Sequence, residues 1–328
     1  MKLISIIIPE GAVVASITDT VRLFETANEM LEKAGGIKAF KIQTVGFSKE
    51  IYIGSKNLYI RADKTLDDVT EPGLIIVPSI SGDVMKVTQQ NRHYFPWLVK
   101  QYKNGSEIAT FCVGAFIVAA TGLLKGKQCA THWLYANEFR HYYPDVILVD
   151  DKIITEQNGI YSSGGGTSYW NLLLYFLEKY TNRQTVISIA KFFLLDLQRS
   201  SQASFTMFIG QKEHGDELVK KVQEYIENEY DQKFNIEDLS AAFATVRRTL
   251  ERRFKKATKN SIVEYIQRIR IEAAKKELEF GRKTINEIMF EVGYSDMKAF
   301  RDLFLRTTGL TPVEYRKKYT EIISPNSY

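Results

Sequence analysis

TINEIMFEVGYSDMKAFRDLFLRTTGLTPVEYR, residues 284–316, decides the fold of the C-terminal part of this 328-residue chain. Phe300 and Phe304 stand four apart and face one side of a helix, while Gly293 sits where a tight turn between two helices needs a residue that tolerates positive φ. A unit of the same build lies about fifty residues upstream. There Asn235 precedes IEDLSAAF (236–243) as a helix cap with Glu237 and Asp238 in the first turn, and VRRTLERRFKKA (246–257) follows almost at once. In that second helix Leu250 and Phe254 point inward, and Arg247, Arg248, Glu251, Arg252 and Lys255 point outward. Between the units runs SIVEYIQRIRIEAAKKELEFG (261–281), a long helix with an apolar seam through Ile262, Tyr265, Ile269, Ala273 and Leu278 and a stop signal at Gly281.

A short helix, a tight turn and a basic second helix make a helix-turn-helix, whose second helix lies in the major groove of DNA. Charge agrees with that reading. Residues 239–328 hold 19 Lys+Arg against 11 Asp+Glu, whereas the rest of the chain holds 25 against 28, so the basic excess sits at one end. A basic amphipathic helix by itself is as often a solvated face. Two such units in tandem point to a polyanion.

Leu239, Arg248-Thr249-Leu250, Arg252 to Thr258, Ile288, Val292-Gly293-Tyr294, Phe300, Phe304, Thr308-Gly309, Thr311-Pro312 and Tyr315-Arg316 together resemble the AraC/XylS family of bacterial regulators over roughly 100 residues. The resemblance implies an all-α, double helix-turn-helix DNA-binding domain at 217–328, with double-stranded DNA as partner. It also implies base reading from Arg248, Glu251 and Arg252 in the first unit and from Met297, Lys298 and Arg301 in the second, with Arg247 beside them. Arginine suits guanine O6/N7, though phosphate contact or plain solvation accounts for such residues about as often. Two positions depart from the family. Val246 replaces the usual Ser cap of the first recognition helix, leaving Thr245 as the expected cap, and Asp302 stands where Arg is common. An acidic side chain near phosphate costs affinity, although it can accept from a cytosine N4.

The other half reads differently. LISIIIP (3–9), FKIQTVGF (40–47), GLIIVPSI (73–80) and EIATF (107–111) are strand-like runs that alternate with helical stretches such as Asp19 to Ala34. Continuous apolar runs such as Leu74 to Val77 suit strands covered on both faces, hence an α/β, doubly wound, mostly parallel sheet. The opening MKLISIIIPEG is too short for a signal segment or a membrane span. Two cysteines cannot form a disulfide framework and four scattered histidines give them no metal-site company, so no cofactor or metal is expected and a reducing cytoplasm fits. The polar runs LQRSSQAS (197–204) and QKEHGDE (211–217) place a linker at 198–216 after a domain spanning 1–197.

Within that domain EIATF runs into Cys112, and Val113-Gly114-Ala115-Phe116 begins a helix of small residues. A cysteine on a strand-to-helix corner is a nucleophile elbow, whose sulfur is expected to be exposed and favoured as thiolate by the helix N-terminus. With ATGLLKGKQCATHW (120–133), YSSGGGTSYWNLLL (161–174) and LQRSSQASF, the stretch resembles the ThiJ/PfpI, class I glutamine amidotransferase-like superfamily, one branch of which precedes an AraC-type DNA-binding half. The resemblance implies a pocket at Glu10, Cys112, Val113, His132 and Gly165, with Cys112 and His132 as candidate catalytic pair. Catalytic relatives carry an acid after the first strand and a hydroxyl after the cysteine. Here Ser16 aligns with the acid, Glu10 is a poorer substitute, and Val113 follows the cysteine, so the set is incomplete. Bland readings compete: Cys112 as a small buried turn residue, Cys129 as core, His132 beside Trp133 as structural, Gly164-Gly165-Gly166 as a strand-to-helix turn. A transcription regulator whose first domain binds a small effector or forms a homodimer is expected. The alternative is a Cys-dependent hydrolase or hydratase carrying a DNA-binding appendage.

Overall fold

The computed structural model describes every residue except 54–57, 70–72, 198–200, 213 and 321–328, so part of the expected linker lies outside the described residues. The chain divides into two compact units, Met1–Gln202 and Ala203–Tyr328.

The first unit opens with β1 (Lys2–Ile7), α1 (Val14–Lys33), β2 (Phe40–Gly46), the strands β3 (Glu50–Ile53) and β4 (Leu58–Arg61), then β5 (Lys64–Thr65) and β6 (Leu74–Val77). Helices α2 (Val84–Gln90) and α3 (Tyr94–Lys103) lead to β7 (Glu107–Phe111), α4 (Ala115–Ala120), β8 (Gln128–Cys129), α5 (Ala136–Tyr142) and β9 (Ile147–Leu148). It closes with β10 (Ile154–Gln157), β11 (Ile160–Ser163), α6 (Ser168–Tyr180) and α7 (Arg183–Phe193). Seven strands form one sheet in the order β10-β11-β7-β6-β1-β2-β5, all parallel except β10, which runs antiparallel to β11. The doubly wound, mostly parallel sheet expected from the apolar runs is therefore present. Its strands alternate in period two. Ile4, Ile6, Leu74, Ile76, Ala109 and Phe111 pack under α1, α6 and α7, while Ile7, Ile75, Val77 and Ile108 pack under the helices of the opposite face. Strand order reverses between β1 and β6, and open α/β sheets bind ligands at the carboxyl ends beside such a switch. The loops holding Glu10, Ser79, Cys112 and Gly164–Gly166 all leave those ends.

The second unit is helical throughout its described elements: α8 (Glu217–Asn228), α9 (Ile236–Ala242), α10 (Arg247–Thr258), α11 (Ile262–Phe280), α12 (Ile285–Glu291), α13 (Met297–Thr308) and α14 (Pro312–Thr320). Asn235 caps α9, accepting from the Glu237 N–H at 3.0 Å, as its sequence position implies. The long helix α11 serves two small cores. Ile262, Tyr265 and Ile266 pack with Leu250 and Phe254, while Ile271, Ala274 and Leu278 pack with Ile288, Phe300 and Phe304. Each fully buried side chain of this kind contributes about 1.5–3 kcal/mol relative to exposure. The expected seam is thereby corrected: Ile269 and Ala273 are only partly buried, because the helix turns its face from one core to the other midway. Gly281 does end α11, but at φ −89 rather than in the left-handed region. A Cβ there would approach the Glu277 carbonyl oxygen to 2.6 Å, so close contact explains the glycine. Gly293 does take the left-handed turn, at φ 81.

Candidate functional site

The two recognition helices are built alike. Leu250 and Phe254 of α10 and Phe300 and Phe304 of α13 are fully buried, which forces the remaining residues of each helix outward. On α10 that leaves Arg247, Arg248, Arg252, Lys255 and Lys256 exposed, and α10 carries six basic residues against one acidic. Arg247 is engaged: it donates to Glu237 on α9 and, from Nε at 3.1 Å, to Glu251 one turn along. Arg248 and Arg252 have no ion-pair partner among the described residues, so their guanidinium forks are available to an incoming base edge or phosphate. Arg253, which the expected outward set leaves out, is committed elsewhere: it forms a bidentate pair with Asp216, the cap of α8, at 2.9 and 2.6 Å. On α13, Lys298 and Arg301 are exposed. Met297 is half-buried against the core around Phe300. Thr245 is corrected. Val246 occupies the cap position of α10 with no side-chain hydrogen bond, whereas the N–H of Thr245 is used by the Ser240 carbonyl.

Arg270 on α11 holds the two units in register. Its guanidinium donates to the carbonyls of Tyr230 (2.7 Å), Gln232 (2.7 Å) and Gly293 (3.1 Å), tying the segment before α9 to the turn between α12 and α13. A Cβ at Gly293 would stand 2.9 Å from that guanidinium, which gives the glycine a second reason.

In the first unit, Cys112 follows the last residue of β7 in the left-handed region at φ 52, the strained corner that an elbow requires. Exposure of the sulfur does not follow. Cys112 is 6% exposed, and burial pushes its thiol above the ordinary range even though the Ser79 hydroxyl and the N–H groups of Gly166 and Val113 donate towards sulfur and pull the other way. The expectation of a favoured thiolate is therefore corrected: the cost of desolvation outweighs the donors. Gly114 has to be glycine, because a Cβ would meet the Pro78 carbonyl oxygen at 2.3 Å.

Of the expected pocket residues, Val113 reaches the sulfur through its N–H, and the others are engaged with different partners. His132 accepts from the Leu134 N–H through Nδ1 at 3.1 Å, capping a short 3-10 turn, and burial lowers its pKa. That nitrogen is already used, and Cys112 has no hydrogen bond to His132 among those that shape its titration. Gly165 lies against the His132 ring, where a Cβ would approach to 2.4 Å. Val113 lends its N–H but buries its side chain in the core. Glu10 is fastened through its backbone to Asn91, at 2.8 and 3.0 Å, and its charge is felt by His93 and Tyr94. Ser16 spends its hydroxyl on the Val13 carbonyl at 2.7 Å. Cys129, fully buried with its thiol pushed up to about 12, is core as its bland reading held.

Three residues around the elbow are not among the expected pocket residues. Ser79 and Gly166 supply donors to sulfur, and Gln202, within the stretch read as linker, is buried. Its amide accepts from the Gly165 N–H at 2.8 Å and donates to the Thr131 carbonyl at 3.0 Å, while the Thr131 hydroxyl donates to the Cys112 carbonyl at 2.9 Å. A separate surface cavity of about 530 Å³, between Phe95, Val99, Lys100, Lys103 and Thr121, shares no lining residue with the elbow. No helix of the described residues is long and apolar enough to cross a membrane.

Comparison with known proteins follows the same division. The model of the DJ-1/PfpI family matches residues 6–179, and a helix-turn-helix domain model matches residues 239–318. The chain is 22% identical over 309 residues to the HTH-type transcriptional regulator GbdR of Pseudomonas aeruginosa, covering 92% of this chain and 80% of that protein. It is 36% identical over 101 residues to the bifunctional transcriptional activator/DNA repair enzyme AdaA of Bacillus subtilis, covering 31% of this chain and 48% of the relative. Among solved structures, a putative transcriptional regulator protein from Vibrio parahaemolyticus is similar with a TM-score of 0.52 at 22% identity, over 58% of this chain and 98% of that one. An AraC family transcriptional regulator from Pseudomonas putida has a TM-score of 0.50 at 14% identity, over 59% of this chain and all of that one. At these identities the structural likeness carries the fold alone.

Proposed function

Because the chain belongs to the DJ-1/PfpI family and ends in a helix-turn-helix domain of AraC type, we propose that it is a sequence-specific, DNA-binding transcription regulator. The observation that carries this reading is the outward face of α10, where Arg248 and Arg252 stand one turn apart without ion-pair partners among the described residues. Arginine in a major groove takes guanine O6 and N7 bidentately, worth about 1–3 kcal/mol of discrimination per pair. The first unit acts without turnover, binding a small effector at the carboxyl end of its sheet or joining two copies as a homodimer. Support comes from Cys112, whose thiol is raised by burial, and from His132, whose Nδ1 is already an acceptor. A thiol nucleophile needs a base within hydrogen-bond reach, and His132 is not among the groups that donate to or shift the Cys112 thiol among the described residues. The protein works in the cytoplasm, where its DNA is.

Genome-wide chromatin immunoprecipitation with the tagged protein tests the proposal. A limited set of sites sharing one motif is expected, and uniform background overturns it. The non-catalytic reading of the first unit falls if a small amide, isonitrile or α-oxoaldehyde is turned over at about 1 s⁻¹ or more and Cys112→Ala abolishes the rate.

A further inference from the structure

The two helix-turn-helix units share one internal register, fixed by features other than their surfaces. Leu250 and Phe254 correspond to Phe300 and Phe304 as the buried pair. Thr258 and Thr308 each donate a hydroxyl to the carbonyl four residues back, at 2.8 and 2.9 Å. Lys259 (φ 60) and Gly309 (φ 74) then take the left-handed conformation. Each helix is followed by a capping box, Ser261 with Glu264 and Thr311 with Glu314. With the frame so fixed at every step, the outward residues can be compared one to one.

They are unequal. Arg252 corresponds to Asp302 and Glu251 to Arg301, opposite exchanges of two charges each, while Arg247 corresponds to Met297 and Lys255 to Leu305, an exposed apolar residue, so the outward face of α13 is the less basic by two charges. Asp302 is exposed and has no ion-pair partner among the described residues that would mask its charge. The helix entrance differs as well. At the start of α13 the Asp296 carboxylate accepts from the N–H groups of Lys298 (2.8 Å) and Ala299 (3.1 Å), so an anion already occupies the dipole end. Val246, at the same place in α10, brings no charge.

Resting on the reading that the chain binds DNA, we infer that its two units are unequal readers: α10 supplies the phosphate-anchored contact, and Asp302 holds α13 away from the DNA backbone. The second unit then contributes reach and orientation rather than most of the affinity. Each protomer anchors in one major-groove segment instead of two.

The test uses the intact chain and a random-sequence duplex, titrated by fluorescence anisotropy at several salt concentrations. On random DNA, where no cognate guanine is offered and Arg252 rests on phosphate, Arg252→Ala is expected to weaken binding and flatten the log–log salt slope by about 1, the signature of one lost phosphate contact. Asp302→Ala is expected to leave affinity unchanged or tighten it. Asp302→Arg is expected to tighten binding by about three- to ten-fold at low salt and steepen the slope by about 1. Asp302 is exposed, so these variants leave the core untouched. The inference is overturned if Asp302→Ala weakens binding as much as Arg252→Ala does, or if Asp302→Arg changes nothing while the unsubstituted chain binds. A folded chain that binds no duplex in any variant overturns the DNA-binding reading itself, which is a different result.

Discussion

Glu107→Gln removes one charge from the start of β7, the strand that ends at the elbow cysteine, and its effect can be worked out in advance. The Glu107 carboxylate accepts from Lys2 at 2.8 Å, from Tyr161 at 2.9 Å, and from Lys179 and Tyr180 at shorter range. Burial raises its pKa, but the four donors outweigh burial and hold it at about 2, against an ordinary 4.5. Taken at face value that difference is about 3 kcal/mol of stability. Lys2 and Lys179 are 28% and 31% exposed, so solvent screens the pairs and about 1–2 kcal/mol is the working figure. The sign follows from linkage. A carboxyl that titrates lower when folded stabilises fully above about pH 4.5 and loses that stabilisation as pH falls towards 2. At pH 3 about two-fifths should remain. All three tryptophans, Trp97, Trp133 and Trp170, lie in the first unit, so urea unfolding of the intact chain followed by tryptophan fluorescence reads that unit alone. The substitution should lower the midpoint at pH 7, and the gap from the unsubstituted protein should narrow by more than half at pH 3. An equal gap at both pH values, or none at pH 7, would refute the reasoning.

Three further outcomes can be checked. Iodoacetamide at pH 8 should label Cys112 faster than Cys129, which is fully buried with a thiol near 12, yet both more slowly than in urea; mass spectrometry of labelled peptides reads the order, and a Cys112 faster than the unfolded thiol would contradict its burial. Lys259→Gly should stabilise the C-terminal end of α10 by up to about 1 kcal/mol, since φ 60 strains any residue with a Cβ; hydrogen exchange at the last amides of that helix measures it, and faster exchange would count against the strain. Arg270→Lys should destabilise the second unit by about 2 kcal/mol, because an ammonium cannot reach the Tyr230, Gln232 and Gly293 carbonyls together; thermal melting followed by helical circular dichroism reads it, and an unchanged melt would remove Arg270 as a staple.

What was legible in the sequence was local. The buried pairs four residues apart, the Asn235 cap and the left-handed glycine at 293 depend on neighbours a few residues away, so periodicity reveals both helix-turn-helix units. The α/β sheet and the strained corner at Cys112 were readable for the same reason, since an apolar strand running into small residues leaves few alternatives. Side-chain partnerships across the fold were not. Burial of Cys112, the capture of His132 Nδ1 by the Leu134 N–H, the Arg253–Asp216 pair and the insertion of Gln202 beneath Gly165 join residues whose approach only the tertiary structure decides. Thr245 misled because a hydroxyl one residue before a helix resembles a cap, while the backbone places Val246 in that position.

The central claim, that this chain binds DNA through a basic double helix-turn-helix unit, is tested most directly by the salt dependence of binding of the intact protein to a sequence selected from a random duplex pool. If six or more phosphates are neutralised by its Lys and Arg side chains, affinity should fall by about 10³ or more between about 50 and 200 mM salt, while the selected sequence stays tighter than random DNA throughout. A folded protein that selects no sequence, or binds no duplex at the lowest salt, would contradict the account.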